Sequence, residues 1–114
     1  MKNVYLTFLN LYDLLQDETG VMSGIDLESK KLLEIIALKN SVGSPLKVMD
    51  AMQLNELASP ATIHRKLTHL VNAGLIEMVH QGTNRRKKFL IPTPLAEKYF
   101  HQLGEIMFKA VGAH

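Results

Sequence analysis

The apolar spacing of this chain switches from helical to strand-like at Gly74 and back to helical near Pro94. Ile63, Leu67, Leu70 and Val71 recur at the three-to-four-residue interval that lines one side of a helix, and Gly74 stops that pattern. Leu75-Ile76-Glu77-Met78-Val79 and Phe89-Leu90-Ile91 are instead short β-type runs. The polar segment around Gly82 joins them, so they predict a hairpin with a long tip. Pro92 and Pro94 close it, and Leu95, Tyr99, Leu103, Ile106 and Ala110 resume a helical stripe, widened by Phe100, Met107 and Phe108. One hairpin between two helices, in a chain of 114 residues, leaves few packings open.

The upstream segments narrow the choice. Val4, Phe8, Leu11 and Leu15, with Tyr5, Leu9 and Tyr12 beside them, predict a first helix over about Val4 to Gln16. A second starts at the N-cap residue Asp26, turns Leu32, Leu33 and Ile36 inward, and stops at Asn40-Ser41-Val42-Gly43. Ser44-Pro45 has the form of an N-cap followed by an N1 proline and predicts a short helix through Val48, Met49 and Met52. Ser59-Pro60 repeats the signal and opens a fourth helix to about Ala73. The expected fold is therefore mainly α with a small β-hairpin wing: a winged helix-turn-helix with additional N- and C-terminal helices. Residues 1–114 read as one such domain.

Charge then points to a partner. The net charge is +2, but residues 1–59 sum to −3 and residues 60–100 to +5. Four of the thirteen Lys and Arg stand together in "QGTNRRKKFLIP", residues 81 to 92, which falls on the wing. A wing tip lies beside the recognition helix and runs along the DNA backbone, where Lys and Arg displace condensed counterions. Asn84, Arg85, Arg86, Lys87 and Lys88 are the candidate wing contacts.

The fourth helix carries the other half of the interface. Spaced at 100° per residue, Ile63, Leu67, Leu70 and Val71 face inward, while Ala61, Arg65, Thr68 and Asn72 lie opposite. Thr62 and His69 sit at the edge of that outer face and His64 on its other flank. No acid occurs between Glu56 and Glu77, whereas an ordinary surface helix would carry Glu and Lys at i,i+4 spacing. Short side chains at Ala61 and Thr62 permit close entry into a major groove, and Arg65 has the reach for guanine O6 and N7. Ser59, Ala61, Thr62, His64, Arg65, Thr68 and His69 are the candidate recognition-helix residues.

These residues also resemble a family. "SPATIHRKLTHLVNAGLIEMVHQGTNRRKKFLIPTPLAEKYF", residues 59 to 100, is similar to the recognition helix, wing and following helix of the multiple-antibiotic-resistance regulator (MarR) family. The resemblance implies a dimeric bacterial transcription factor whose wing arginine enters the minor groove, a role that falls on Arg85 or Arg86. The chain departs from the family pattern in three places. Asn84 stands where the wing customarily has Asp; Pro92-Thr93-Pro94-Leu95-Ala96 replaces Leu-Thr-x-x-Gly; and the turn after Met52, "QLNELA", exceeds the three or four residues of a tight helix-turn-helix.

Other chemistry finds little support. With no cysteine there is no disulfide or thiolate metal site, and a reducing compartment, the cytoplasm, is the expectation. His64 and His69 are five residues apart, which places them about 140° apart on a helix, whereas metal-gripping pairs stand at i,i+4. Neither a phosphate loop nor a nucleophile motif occurs, so no enzyme, metal or cofactor is expected. The six methionines could line an adaptable pocket, so a small-molecule effector is possible but unsupported, and Met49, Met52 and Met107 at helical spacing read as core filler. No apolar run approaches the ~20 residues of a membrane span, and Asn10 and Asp13 break the one greasy stretch near the start, so a soluble, unprocessed chain is expected.

Tyr5, Leu9, Tyr12, Phe100, Met107 and Phe108 give the terminal helices more apolar circumference than one small domain covers, so residues 1–17 and 95–114 are expected to join two copies in a homodimer. Two functions fit this reading: a sequence-specific regulator that binds double-stranded DNA, or a winged-helix interaction module whose wing meets an acidic partner.

Overall fold

A computed structural model describes residues 1–114, the side chains of Gln81, Asn84, Arg85 and Arg86 excepted. Its elements run α1 (Lys2–Thr19), α2 (Leu27–Ser41), β1 (Leu46–Lys47), α3 (Val48–Ala51), α4 (Pro60–Asn72), β2 (Ile76–Gln81), β3 (Asn84–Pro92) and α5 (Pro94–Gly112). The chain divides into two compact units, one made of Ile25–Ala96 and the other of Met1–Gly24 with Glu97–His114.

The central unit is a winged helix. Asp26 caps α2 as its residue type demands: the carboxylate Oδ1 accepts the Ser29 amide at 2.7 Å. Leu32, Leu33 and Ile36 of α2 and Ile63, Leu67 and Leu70 of α4 are all buried, and the two helices pack together. Gly74, at φ +74°, turns the chain out of α4 in a left-handed conformation that a side chain resists. The three strands form an antiparallel sheet in the order β1-β3-β2, with Leu46 opposite Leu90 and Met78 opposite Leu90 on its other side. Thr93 joins the sheet to α5. Its hydroxyl donates to the Gly74 carbonyl and accepts the Ala96 amide, so one side chain caps α5 and satisfies the carbonyl left at the end of α4.

Four expectations need correction here. Ser44-Pro45 does not open a helix; Leu46–Lys47 forms β1, because Leu46 is buried by extending along the free edge of β3, and α3 begins only at Val48 with Lys47 at its N-cap. Met49 is 68% exposed and the buried position of α3 is Ala51, so this methionine is not core filler. Val71 is 37% exposed, at the margin of the α4 stripe rather than inside it. Leu95 is exposed as well, since α5 turns Ala96 and Tyr99 inward instead.

In the terminal unit, α1 and α5 form a second core around Leu15, Tyr99 and Ile106, with Phe8, Leu11, Tyr12, Phe100 and Leu103 packed against it. Gln16 Nε2 donates to the Tyr99 hydroxyl at 2.6 Å, and burial pushes the Tyr99 phenol up to about 12. Tyr12 and Phe100 are thus partly used within the chain, yet Tyr5 remains 60% exposed, Met107 57% and Phe108 82%. Met107 is therefore not core filler either.

An ion pair ties α4 to the start of α2: Lys66 Nζ lies 2.5 Å from Asp26 Oδ2. With the Ser29 amide, the Lys66 ammonium holds the Asp26 carboxyl down at about 2, against an ordinary 3.8. A carboxyl depressed on folding stabilises the native state above its unfolded pKa, and that contribution disappears as pH falls through the folded value. Asp26→Asn, which keeps the cap, is therefore expected to lower stability at pH 7 by about 0.2–1 kcal/mol, the range for an exposed pair. The difference from the parent should shrink as pH falls below about 3.8 and vanish only below about pH 2, as followed by thermal unfolding across that window.

Candidate nucleic-acid interface

The outer face of α4 is built from its cap outward. Ser59 sits extended at the N-cap with Pro60 in the first turn, and its Oγ accepts the Thr62 amide at 3.3 Å. The Ser59 hydroxyl in turn donates to Thr62 Oγ1 at 3.0 Å. Arg65, one turn further on, donates from Nη2 to the same Thr62 Oγ1 at 3.1 Å, so its guanidinium is folded back over the start of the helix. Thr68 donates its hydroxyl to the His64 carbonyl at 3.1 Å. Ser59, Ala61, His64, Arg65 and Thr68 are exposed, and Thr62 and His69 are half-buried. Five of the seven candidate residues are thus exposed, and Thr62 and His69 stand at the half-buried edge of that face.

Lys66 belongs elsewhere. It counts toward the basic half of the sequence, but its ammonium is engaged by Asp26 on the flank next to α2. The charge offered by the face of α4 is therefore concentrated on Arg65, whose guanidinium has no acidic neighbour within its own helix.

The wing differs from the expected long loop. Gly82, at φ +57°, and Thr83 alone link β2 to β3, and the basic run lies along β3 itself. Val79 faces Phe89 and His80 faces Lys88, but Gln81 faces Asn84, so the register slips between His80 and Gln81 and β3 carries the extra residues. Such a bulge bends and twists a ribbon. Lys87 and Lys88 are exposed. The side chains of Asn84, Arg85 and Arg86, the remaining wing candidates, lie outside the described residues. Two further residues near this face carry no mark in the sequence alone. His80 becomes the cross-strand neighbour of Lys88, a pairing that depends on register and leaves no local trace. Lys47 stands exposed at the start of α3, which becomes visible only once β1 is recognised.

The turn joining α3 to α4 occupies residues 52–59 and is closed by successive backbone bonds, among them Leu54 N to the Ala51 carbonyl and Ala58 N to the Leu54 carbonyl. It is the long connection expected from "QLNELA". Among the described residues, no group of three or more His, Asp or Glu could hold a metal ion, and no helix is long and apolar enough to cross a membrane.

No protein-family model matches the sequence, and no curated protein matches it. Solved structures do match the fold. The chain is similar to RV1404 from Mycobacterium tuberculosis, with a TM-score of 0.60 and 20% identity over 87% of this chain and 62% of that one. The transcriptional regulator Tm0710 from Thermotoga maritima aligns with a TM-score of 0.65 and 16% identity, over 96% and 70% of the two chains. AbsC, a MarR family transcriptional regulator from Streptomyces coelicolor, aligns with a TM-score of 0.55 and 17% identity, over 94% and 72%. The fold is thus a MarR-like winged helix with extra terminal helices, in a chain that spans 62% of the length of RV1404.

The cap is the part of this face that can be tested without a ligand. Ser59→Ala removes the acceptor for the Thr62 amide and is expected to cost about 1 kcal/mol, within the usual range of roughly 0.5–2 for such caps. Chemical denaturation should show a lower midpoint with an unchanged slope.

Proposed function

We propose that this chain is a sequence-specific transcriptional regulator that binds double-stranded DNA as a homodimer and has no catalytic activity. On this reading it works in the bacterial cytoplasm, with α4 in the major groove and the wing on the backbone or in the minor groove. The observation that carries the proposal is the acid-free outer face of α4, where Ala61, Thr62, His64, Arg65 and Thr68 are presented around a single guanidinium. Lys87 and Lys88, exposed on β3, supply the non-specific attraction to phosphate. The likeness in fold to transcriptional regulators supports the same function. A protein-interaction module would have no need of a recognition helix without acids.

Residues 1–114 act as one winged-helix domain in this proposal, and residues 1–17 and 95–114 join the two copies. Tyr5, Phe8, Met107 and Val111 line an apolar hollow of about 430 Å³ in the terminal unit, and Phe108, on the same helix as Met107, is exposed as well. Apolar surface of this kind favours self-association, and a two-fold dimer presents two copies of α4 to a pseudo-palindromic site. Light scattering at micromolar concentration is expected to give twice the 12.8 kDa of the chain, and Phe108→Glu should shift the population toward monomer. A 114-residue chain that stays monomeric throughout that range contradicts the dimer.

The roles of wing and helix separate by salt and by sequence. Replacing Lys87 and Lys88 with Ala should weaken all duplexes alike and lower the slope of log affinity against log salt by about 0.9 for each phosphate that is no longer neutralised. Arg65→Ala should cost about 1–3 kcal/mol on the preferred duplex and much less on a scrambled one. If no duplex binds at low salt, or the lysine variants leave the slope unchanged, the DNA proposal fails and an acidic protein partner replaces it.

A further inference from the structure

The start of α4 holds a hydrogen-bond arrangement with a chemical consequence for what it reads. A threonine hydroxyl has two acceptor positions and one proton to donate. At Thr62 the Ser59 hydroxyl donates into Oγ1 at 3.0 Å and Arg65 Nη2 donates into it at 3.1 Å. Both acceptor positions are filled, so the group that Thr62 has left to offer is its own proton. Arg65 is a donor in every protonation state found in proteins, and its remaining N–H groups are those not engaged by Thr62. Ala61, beside them, adds no polar atom. At Thr62 and Arg65 the start of the helix therefore offers donors toward a major groove, and the one acceptor position left open beside them is the second lone pair of Ser59 Oγ, back at the cap.

Base edges respond unequally to such a surface. Guanine shows two acceptors, N7 and O6, and thymine shows O4, whereas adenine and cytosine each turn an amino donor into the groove. We propose that Thr62 is a specificity-determining residue, which holds Arg65 against a guanine and selects a keto base, guanine or thymine, at the adjacent position. The inference rests on the DNA reading given above and goes beyond it by naming the bases.

The test is enrichment of bound duplexes from a random pool by the 114-residue parent, Thr62→Val, Thr62→Ser and Thr62→Asn. Affinity for one scrambled duplex is measured alongside, because phosphate contacts dominate it. The parent is expected to enrich guanine next to a keto base, with discrimination of about 5- to 150-fold for the arginine contact, equivalent to ~1–3 kcal/mol. Thr62→Val keeps the shape and the backbone bond to Ser59 but lacks the hydroxyl. It should retain scrambled-duplex affinity, lose the keto preference and weaken the choice of guanine, while Thr62→Ser keeps both. Thr62→Asn, which adds an acceptor, should move the adjacent position toward adenine, and it serves as the decisive variant should Thr62→Val not fold. A parent that enriches adenine or cytosine beside the guanine, or Val and Asn variants that enrich the parental motif, overturns the inference while leaving DNA binding intact. A parent that binds neither the pool nor the scrambled duplex overturns the DNA reading itself, and the inference with it.

Discussion

Burial of one side of α4 against α2 is the constraint on which the rest of the central unit depends. Once Ile63, Leu67 and Leu70 are committed to the core with Leu32, Leu33 and Ile36, rotation of the helix is fixed within the angle that keeps those side chains out of water. Truncating any one of them to Ala would cost about 2–5 kcal/mol, a large part of the net stability of a small domain. The outer face is the remainder of that choice: Ala61, His64, Arg65 and Thr68 are exposed because their neighbours at helical spacing are not. The ion pair of Lys66 with Asp26 acts on the same rotation from the flank. It is worth far less than the apolar stripe, but it removes a mobile charge from the neighbourhood of the exposed face.

The ends of α4 carry the fold outward from that core. Gly74 lets the chain reverse directly into β2, and Thr93 returns from β3 to bond the Gly74 carbonyl before starting α5. The wing is therefore anchored at both of its roots to the C-terminal end of the proposed recognition helix. A hairpin held in this way has its position fixed relative to the helix, which suits two elements proposed to meet one duplex. The short Gly82-Thr83 link and the register slip beside it place the lysines on a bent ribbon rather than in a slack loop.

Much of this is legible in the residues, and what is not has a common cause. Ser59-Pro60 and Gly74 bound α4 within a residue of where it starts and stops, and Asp26 caps α2 as expected, because caps are decided by side chains and backbone within a few positions. The same logic fails at Ser44-Pro45, where a distant partner decides: Leu46 pairs with Leu90, and pairing to a free strand edge outweighs a local helix signal. The ion pair joins residues 26 and 66, and His80 meets Lys88 only through the register of the hairpin, so neither has a local signature. Exposure of Met49 and Met107 follows from small or branched neighbours, Ala51 and Ile106, filling the buried positions instead. The bond from Arg65 to Thr62 is different. Its i,i+3 spacing is present in the sequence, but which acceptor a flexible arginine chooses is settled only by the full set of neighbours.

The central claim is that one face, made by α4 and β3, meets the DNA. Amide chemical-shift mapping of the 114-residue chain with a short duplex of random sequence at low salt tests it most directly. The largest shifts should fall on residues 59–69 and on the wing around Lys87 and Lys88, and they should recede together as salt is raised. Shifts centred on the turn at residues 53–57 or on the exposed side of α1, with 59–69 undisturbed, would contradict the account.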